Sequence, residues 1–409
     1  MTSYAIDHSA ILYLAQMGRS HSNVFRFAVT LTEPVCPELL QQAADRIASR
    51  FPTIFAGFRP GVFSYSVVPV EKAPCVQRDQ GLLKTMRPPE MSRCACRIYY
   101  SDCEIIIEAF HALTDGYGAI ASLRTMVAEY LRLRYGLVSP EQDSMLEQGE
   151  PDWDTELRDS YLDHAQAKPR GMTNRYAYQL RGRNRDWQTK ISVEHFSTGA
   201  LLKASKNQGV SMTAMLSGIM AEAIMELQQK HRTRKHKPVR IMVPVDLRRQ
   251  FQSRTLRNFI LYALPTMEPG EMHLPRLERL RRFQEQIRSQ MRKETLAGQI
   301  ARNVRIQRNP LFRFIPRAVK CAAMRMVYLF CGERNSSITL TNLGPVLLSE
   351  ELRQYVNKIE VHLTPRRKSP YNCGLISCGD VTSISISRFG AEPELEPLFF
   401  SKLRTMLES

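Results

Sequence analysis

His111 stands four residues before Asp115, and Gly116 follows at once, in the stretch Phe110-His111-Ala112-Leu113-Thr114-Asp115-Gly116. Imidazole is the side chain whose ordinary pKa lies nearest neutrality. It can take a proton from a hydroxyl or amine and give it back. Of the nine histidines, His111 alone has an aspartate four residues on. A β-branched run, Glu104-Ile105-Ile106-Ile107-Glu108, leads into it, and a segment of helical spacing follows. The spacing predicts a base at the end of a buried strand, where side chains face a crevice. Asp115 has two readings from the motif alone. It belongs to the chemistry of the site, or it caps the helix that begins at Gly116.

The elements that must position this pair are of mixed type. Val24–Leu31 alternates as a strand, and Pro37–Arg50 has helical spacing through Leu40, Ala43, Ala44 and Ile47. Val62–Val70, Arg97–Tyr100 and Cys103–Phe110 are predicted strands. A helix from about Gly116 carries Ile120, Leu123, Val127, Tyr130 and Leu131 on its apolar face and stops at Gly136. Residues 137–190 change character, with several prolines, many acids, the basic run Arg181–Arg185 and a short helix predicted near 154–165. A second α/β pattern follows. Its predicted strands are 191–196, 239–245, 260–265, 338–340, 359–363 and 383–387, and its helices are 211–229, 275–296 and 394–407. The fold class is therefore α/β with mixed sheets, divided as a first lobe at 1–150, a connector at 151–190 and a second lobe at 191–409.

The chain of 409 residues is 43% hydrophobic and 24% charged, ordinary values for a globular protein with a sizeable core. It has no apolar run of membrane-spanning length and no signal-peptide pattern at its start. Nine cysteines, an odd number, argue for reduced thiols and a cytoplasmic setting. The Cys94/Cys96 and Cys373/Cys378 spacings form no zinc pattern, so no metal is expected. The net charge of +17 suits nucleic acid, an anionic membrane or a phosphorylated donor such as coenzyme A. The densest basic run, Lys230–Lys237, has no aromatic residue to stack on a base, which argues for a solvated loop and against nucleic acid. Leu311–Phe330 interleaves cations with Phe, Met and Val. It reads as a basic helix with its apolar face in the core, or as an interfacial helix lying on a membrane; the first reading is preferred.

Four features, in order along the chain, resemble the superfamily of chloramphenicol acetyltransferase, condensation domains, plant acyltransferases and alcohol acetyltransferases. They are Arg50-Phe51-Pro52 with Phe55 and Phe58; His111-x-x-x-Asp115-Gly116; Val243-Pro244-Val245-Asp246-Leu247-Arg248 with Asn258-Phe259; and Ser337-Ile338-Thr339-Leu340-Thr341-Asn342-Leu343-Gly344. Phe110 stands where condensation domains usually have a second histidine, and the plant D-F-G-W-G motif is absent. The alcohol acetyltransferase branch is thus the one most similar.

The resemblance implies two similar lobes in a V with a tunnel between them. It implies that His111 deprotonates an alcohol or amine, which attacks a thioester carbonyl. The co-substrate would be acyl-coenzyme A or an acyl carrier protein thioester, with no bound cofactor. Asp115 would turn away from the substrate and pair with Arg248, with Arg249 as the spare, and Gly116 would let the backbone pass close to the site. Thr341 and Asn342 are candidate oxyanion donors or tunnel residues. The family's usual state is a monomer. The competing expectation is a non-catalytic member of the fold that binds a carrier protein or a membrane surface.

Overall fold

The computed structural model describes residues 3–17, 22–81, 83–137, 143–169, 176–180, 188–231, 236–305, 307, 309–328, 334–365, 369–390 and 392–408. The basic run Arg181–Arg185, the middle of the Lys230–Lys237 run and Phe330 lie outside the described residues.

The first lobe is built on a five-stranded sheet. Its order is Val356–Leu363, Val24–Leu31, Glu104–Phe110, Cys96–Ser101 and Gln77–Arg78. One face is apolar. Phe27 sits opposite Ile107 and Val29 opposite Ile105, and the face packs on helices Pro37–Ala48 and Gly116–Tyr135. The other face carries a charged row, His362–Arg26–Glu108–Arg97, each residue directly opposite the next. Glu108 is wholly buried, and Arg26 at 2.7 Å and Arg97 at 3.1 Å supply its counter-charges. A carboxylate so placed survives only when paired. A three-stranded sheet of Tyr4–Ala5, Tyr65–Pro69 and Ala56–Pro60 lies beside it.

The second lobe is a seven-stranded mixed sheet. Its order is Ile260–Ala263, Val239–Asp246, Ile338–Pro345, Tyr371–Cys378, Val381–Phe389 and Thr189–Ser197, with Thr266–Met267 also paired to Val239–Asp246. Helices Met212–Lys230, Arg276–Gln290 and Leu395–Glu408 cover its apolar face. Strand Val356–Leu363, from the stretch assigned to the second lobe, is hydrogen-bonded into the first sheet. The lobes therefore share backbone.

Several elements depart from their predicted form. The short helix of the connector shrinks to Ser160–Asp163, because the Asp152 carboxylate takes the Asp154 and Thr155 N–H groups and turns the chain there. The helix predicted over 275–296 ends at Gln290, and a new one, Lys293–Val304, starts after the extended Arg292. Tyr371–Cys378 gives no alternating signal since it is buried on both faces at the centre of its sheet.

The 311–330 segment also departs. It forms helices Pro310–Phe314 and Arg317–Val327. The apolar residues Val319, Met326 and Val327 are exposed, while Lys320 is buried. The preferred sequence reading, with the apolar face in the core, is reversed. The core side is already closed by backbone carbonyls that take the Lys320 ammonium.

Candidate active site

His111 leaves the end of strand Glu104–Phe110 and is half-buried. Its N–H donates to Asn23 O at 2.9 Å, which ties the turn to the start of the neighbouring strand. The ring lies flat against Tyr13, with centroids 4.5 Å apart and planes 12° apart, and Phe25 meets it edge-on at 5.2 Å. These contacts fix the plane of the imidazole.

Asn258 fixes its protonation. The Asn258 Nδ2 donates to His111 O at 2.9 Å and to Asp7 Oδ2 at 3.3 Å. Both are acceptors, so the amide oxygen must face the ring, and it lies 3.1 Å from His111 Nδ1. That oxygen can only accept. The neutral ring therefore carries its proton on Nδ1 and its lone pair on Nε2. Asp7 also takes the Ser9 and Ala10 N–H groups at the start of helix Ala10–Gln16, the helix that carries Tyr13. One carboxylate thus holds both the amide partner and the stacking partner of His111. Nearby, burial and the Asp7 charge push Asp159 up to about 6.

Asp115 faces the other way. Its Oδ1 accepts from Tyr117 N at 3.1 Å and Gly118 N at 3.4 Å, capping helix Gly116–Tyr135. Both oxygens also lie 2.9 Å from the Arg248 guanidinium, and Phe259 N donates to Oδ2 at 2.9 Å. Asp115 is at once the cap of helix Gly116–Tyr135 and the ion-pair partner of Arg248. Among the described residues none of its hydrogen bonds goes to the imidazole.

Arg248 is the hub of the 248–259 loop. It also donates to Thr255 O, Arg257 O and Asp246 Oδ1 at 2.7, 2.6 and 2.7 Å and lies over the Tyr117 ring. Burial disfavours its charge, but the Asp115 and Asp246 carboxylates more than offset that and raise its pKa. Arg249, the spare, is exposed. Arg50 braces the same loop from the first lobe. Its bidentate pair with buried Glu156, at 2.6 and 2.8 Å, places Glu156 O to accept from Leu256 N.

Two glycines let the lobes meet. A Cβ on Gly116 would lie 2.5 Å from Leu343 Cδ2, and one on Gly118 would lie 2.3 Å from Leu256 O. Leu343 belongs to strand Ile338–Pro345, which carries Thr341 and Asn342. That strand therefore runs beside the turn that ends in Gly116. Asn342 donates to Thr213 Oγ1 at 3.0 Å and accepts from Gly344 N at 2.9 Å, which leaves its second amide hydrogen.

His111, Asp115, Gly116 and Arg248 are thus brought together. Asn258, Asp7, Tyr13 and Gly118 complete the arrangement without having been singled out for these roles in the sequence. The Asn258-Phe259 pair was a signal of position only. Nothing in the spacing links residue 7 or 13 to residue 111. Among the described residues no three His, Cys, Asp or Glu side chains gather as a metal site.

No protein-family model matches the chain, and no curated protein matches it in sequence. Solved structures do match. The TRI3 trichothecene 15-O-acetyltransferase from Fusarium sporotrichioides is similar with a TM-score of 0.61 at 13% identity, over 99% of this chain and 94% of that one. TRI101 from F. sporotrichioides, solved with coenzyme A and T-2, gives 0.64 at 13% identity over 98% and 97%. The first condensation domain of the CDA synthetase gives 0.61 at 13% over 100% and 96%. At such identities the likeness is one of fold, and it runs the length of the chain. The chain has the mixed α/β, two-lobed, chloramphenicol-acetyltransferase-like fold of these acetyltransferases and condensation domains.

Proposed function

We propose that the chain is an acyltransferase. It moves an acyl group, acetyl in the simplest case, from the thioester of coenzyme A to an alcohol or amine, with His111 as general base. The donor could equally be presented by a carrier protein, as the condensation-domain likeness allows. The observation that carries the reading is the His111–Asn258 hydrogen bond, which assigns the ring lone pair to Nε2.

In this reading Nε2 takes the proton of the acceptor O–H or N–H as its oxygen or nitrogen attacks the thioester carbonyl carbon. The new C–O or C–N bond gives a tetrahedral oxyanion. The C–S bond then breaks, and the leaving thiolate takes the proton back from the imidazolium. Atoms and charge balance with no acyl-enzyme. The oxyanion needs donors. The Thr341 hydroxyl and the second amide hydrogen of Asn342 are the proposed ones, since their strand passes beside Gly116. A channel between the lobes would admit donor and acceptor from opposite faces. Asp115, Gly116 and Arg248 shape the loop and take no part in proton transfer.

The test is thiol release from acetyl-, octanoyl- and palmitoyl-coenzyme A across a panel of alcohols and amines. Release that depends on an acceptor supports the reading. No release above the acceptor-free background with any pair would overturn it.

A further inference from the structure

Helix Arg317–Val327 is amphipathic in the reverse of the usual sense. Two of its three cations, Arg317 and Lys320, turn inward. Lys320, only 5% exposed, donates to Phe63 O at 3.0 Å and Arg313 O at 3.3 Å. Arg317 donates to Gly61 O at 2.9 Å and Tyr65 Oη at 2.8 Å. Its outward stripe is Val319, Ala322, Ala323 and Met326, all exposed and spaced i, i+3, i+4, i+7. Leu311 and Phe314 on the preceding helix, each 72% exposed, extend the apolar surface. So does the tip of the 61–64 turn, where Val62 is 73% exposed and its carbonyl accepts from Arg317 N. Single exposed apolar side chains are ordinary. An apolar face gathered from two helices and a turn, with lysine tucked beneath it, marks an interaction surface.

Charge identifies what it meets. Between Glu294 and Glu333 the chain carries seven Lys or Arg and no Asp or Glu. Arg313 and Arg325 remain exposed among the apolar side chains. Apolar insertion surrounded by uncompensated cations is what an anionic lipid headgroup layer attracts and holds. Among the described residues no single helix is long and apolar enough to cross a membrane.

We propose that this face docks the protein on an anionic lipid bilayer. Its inner side packs on helix Ala10–Gln16, whose Tyr13 stacks on His111. The bilayer surface then lies one helix away from the candidate base. A lipophilic, membrane-dissolved alcohol or amine is the class of acceptor this arrangement would serve. That last step rests on the acyltransferase reading, whereas docking itself does not.

The test is flotation of the full chain with vesicles of phosphatidylcholine alone or with about 30 mol % phosphatidylserine. The wild type is expected to float with the anionic vesicles only and to be released by about 0.5 M salt, where charges are screened within a few Å. Val319→Asp with Met326→Asp should reduce flotation at least about tenfold with thermal unfolding unchanged. Should that variant fail to fold, Leu311→Ser with Phe314→Ser makes the same measurement at side chains that face solvent. Failure of the wild type to float, or flotation of a folded variant as the wild type, would overturn the proposal. A wild-type dimer that the same substitutions convert to monomer would also overturn it, by assigning the face to a second copy. Against a vesicle-embedded long-chain alcohol the variants should lose transfer rate while keeping it for a water-soluble one. Flotation without any transfer would sink the acceptor class and leave docking standing.

Discussion

Asn258 grips His111 at two points, accepting from ring Nδ1 at 3.1 Å through its Oδ1 and donating to the backbone carbonyl at 2.9 Å through its Nδ2. The two contacts are coupled by chemistry. The amide orientation that satisfies the carbonyl and Asp7 is the one that fixes the tautomer. An imidazole 147 residues away in sequence is thereby held in one tautomer by the loop that also receives Asp115.

Asn258→Ala should keep the fold and lose the tautomer lock. General-base catalysis is worth roughly 10²–10⁴-fold, so a poorly set base should lower kcat about 10- to 100-fold. KM for the thioester should stay within about twofold. Steady-state kinetics check this. An unchanged kcat would show that the amide does not set the base.

Arg248→Ala strands the Asp115 carboxylate, whose side chain is 1% exposed. Breaking a buried pair from one side costs about 3–5 kcal/mol. Asp115→Ala should cost a similar amount, and the double variant less than the sum, as read by urea unfolding. Additive losses would mean the two residues do not act as a pair. Arg248→Lys should not restore stability, since one ammonium cannot reach Asp115, Asp246, Thr255 O and Arg257 O at once.

The two glycines should respond differently to alanine. At Gly118 the new methyl meets a backbone oxygen, Leu256 O, that cannot step aside. Overpacking of this kind costs about 1–3 kcal/mol. At Gly116 it meets only the end of the Leu343 side chain. Leu343→Ala should therefore rescue Gly116→Ala and leave Gly118→Ala unimproved, a pattern that thermal melting resolves. Equal rescue of both would contradict the contacts.

Glu360, on the strand shared between lobes, gives a pH dependence with a definite sign. Burial alone would raise its pKa. Hydrogen bonds from His362, Lys358 and His195 more than reverse this and hold it well below the ordinary range. The unfolded chain takes up its proton near pH ~4.3, before the folded one does. The stability it contributes is thus present above that pH and is lost as pH falls toward the folded pKa. Glu360→Gln should be less stable than wild type at pH 7, with the gap closing below about pH 4. A gap independent of pH would remove the carboxylate's role.

The readable parts of the sequence are those where one physical signal dominates. Strand Val24–Leu31 and helix Gly116–Tyr135, with its left-handed stop at Gly136, follow their periodicity to the residue. The central strand Tyr371–Cys378 escaped because burial on both faces erases alternation. For the 311–330 segment the preferred expectation, an apolar face in the core, fails because Val319, Met326 and Val327 are exposed. Periodicity finds the apolar stripe, but only the fold says which side is covered. Asn258 and Asp7 were hidden for a different reason. A hydrogen bond between residues far apart leaves no trace in local spacing. Arg248 was reached only through the resemblance to a family, not through any property of its neighbours.

The most direct measurement is acceptor-dependent thiol release from acyl-coenzyme A by wild type and His111→Ala, with unfolding curves for both. Release by the wild type, a loss of at least about 10²-fold in the variant, and superimposable unfolding are the expected results. Wild-type rates in a folded His111→Ala protein would contradict the proposal of His111 as general base.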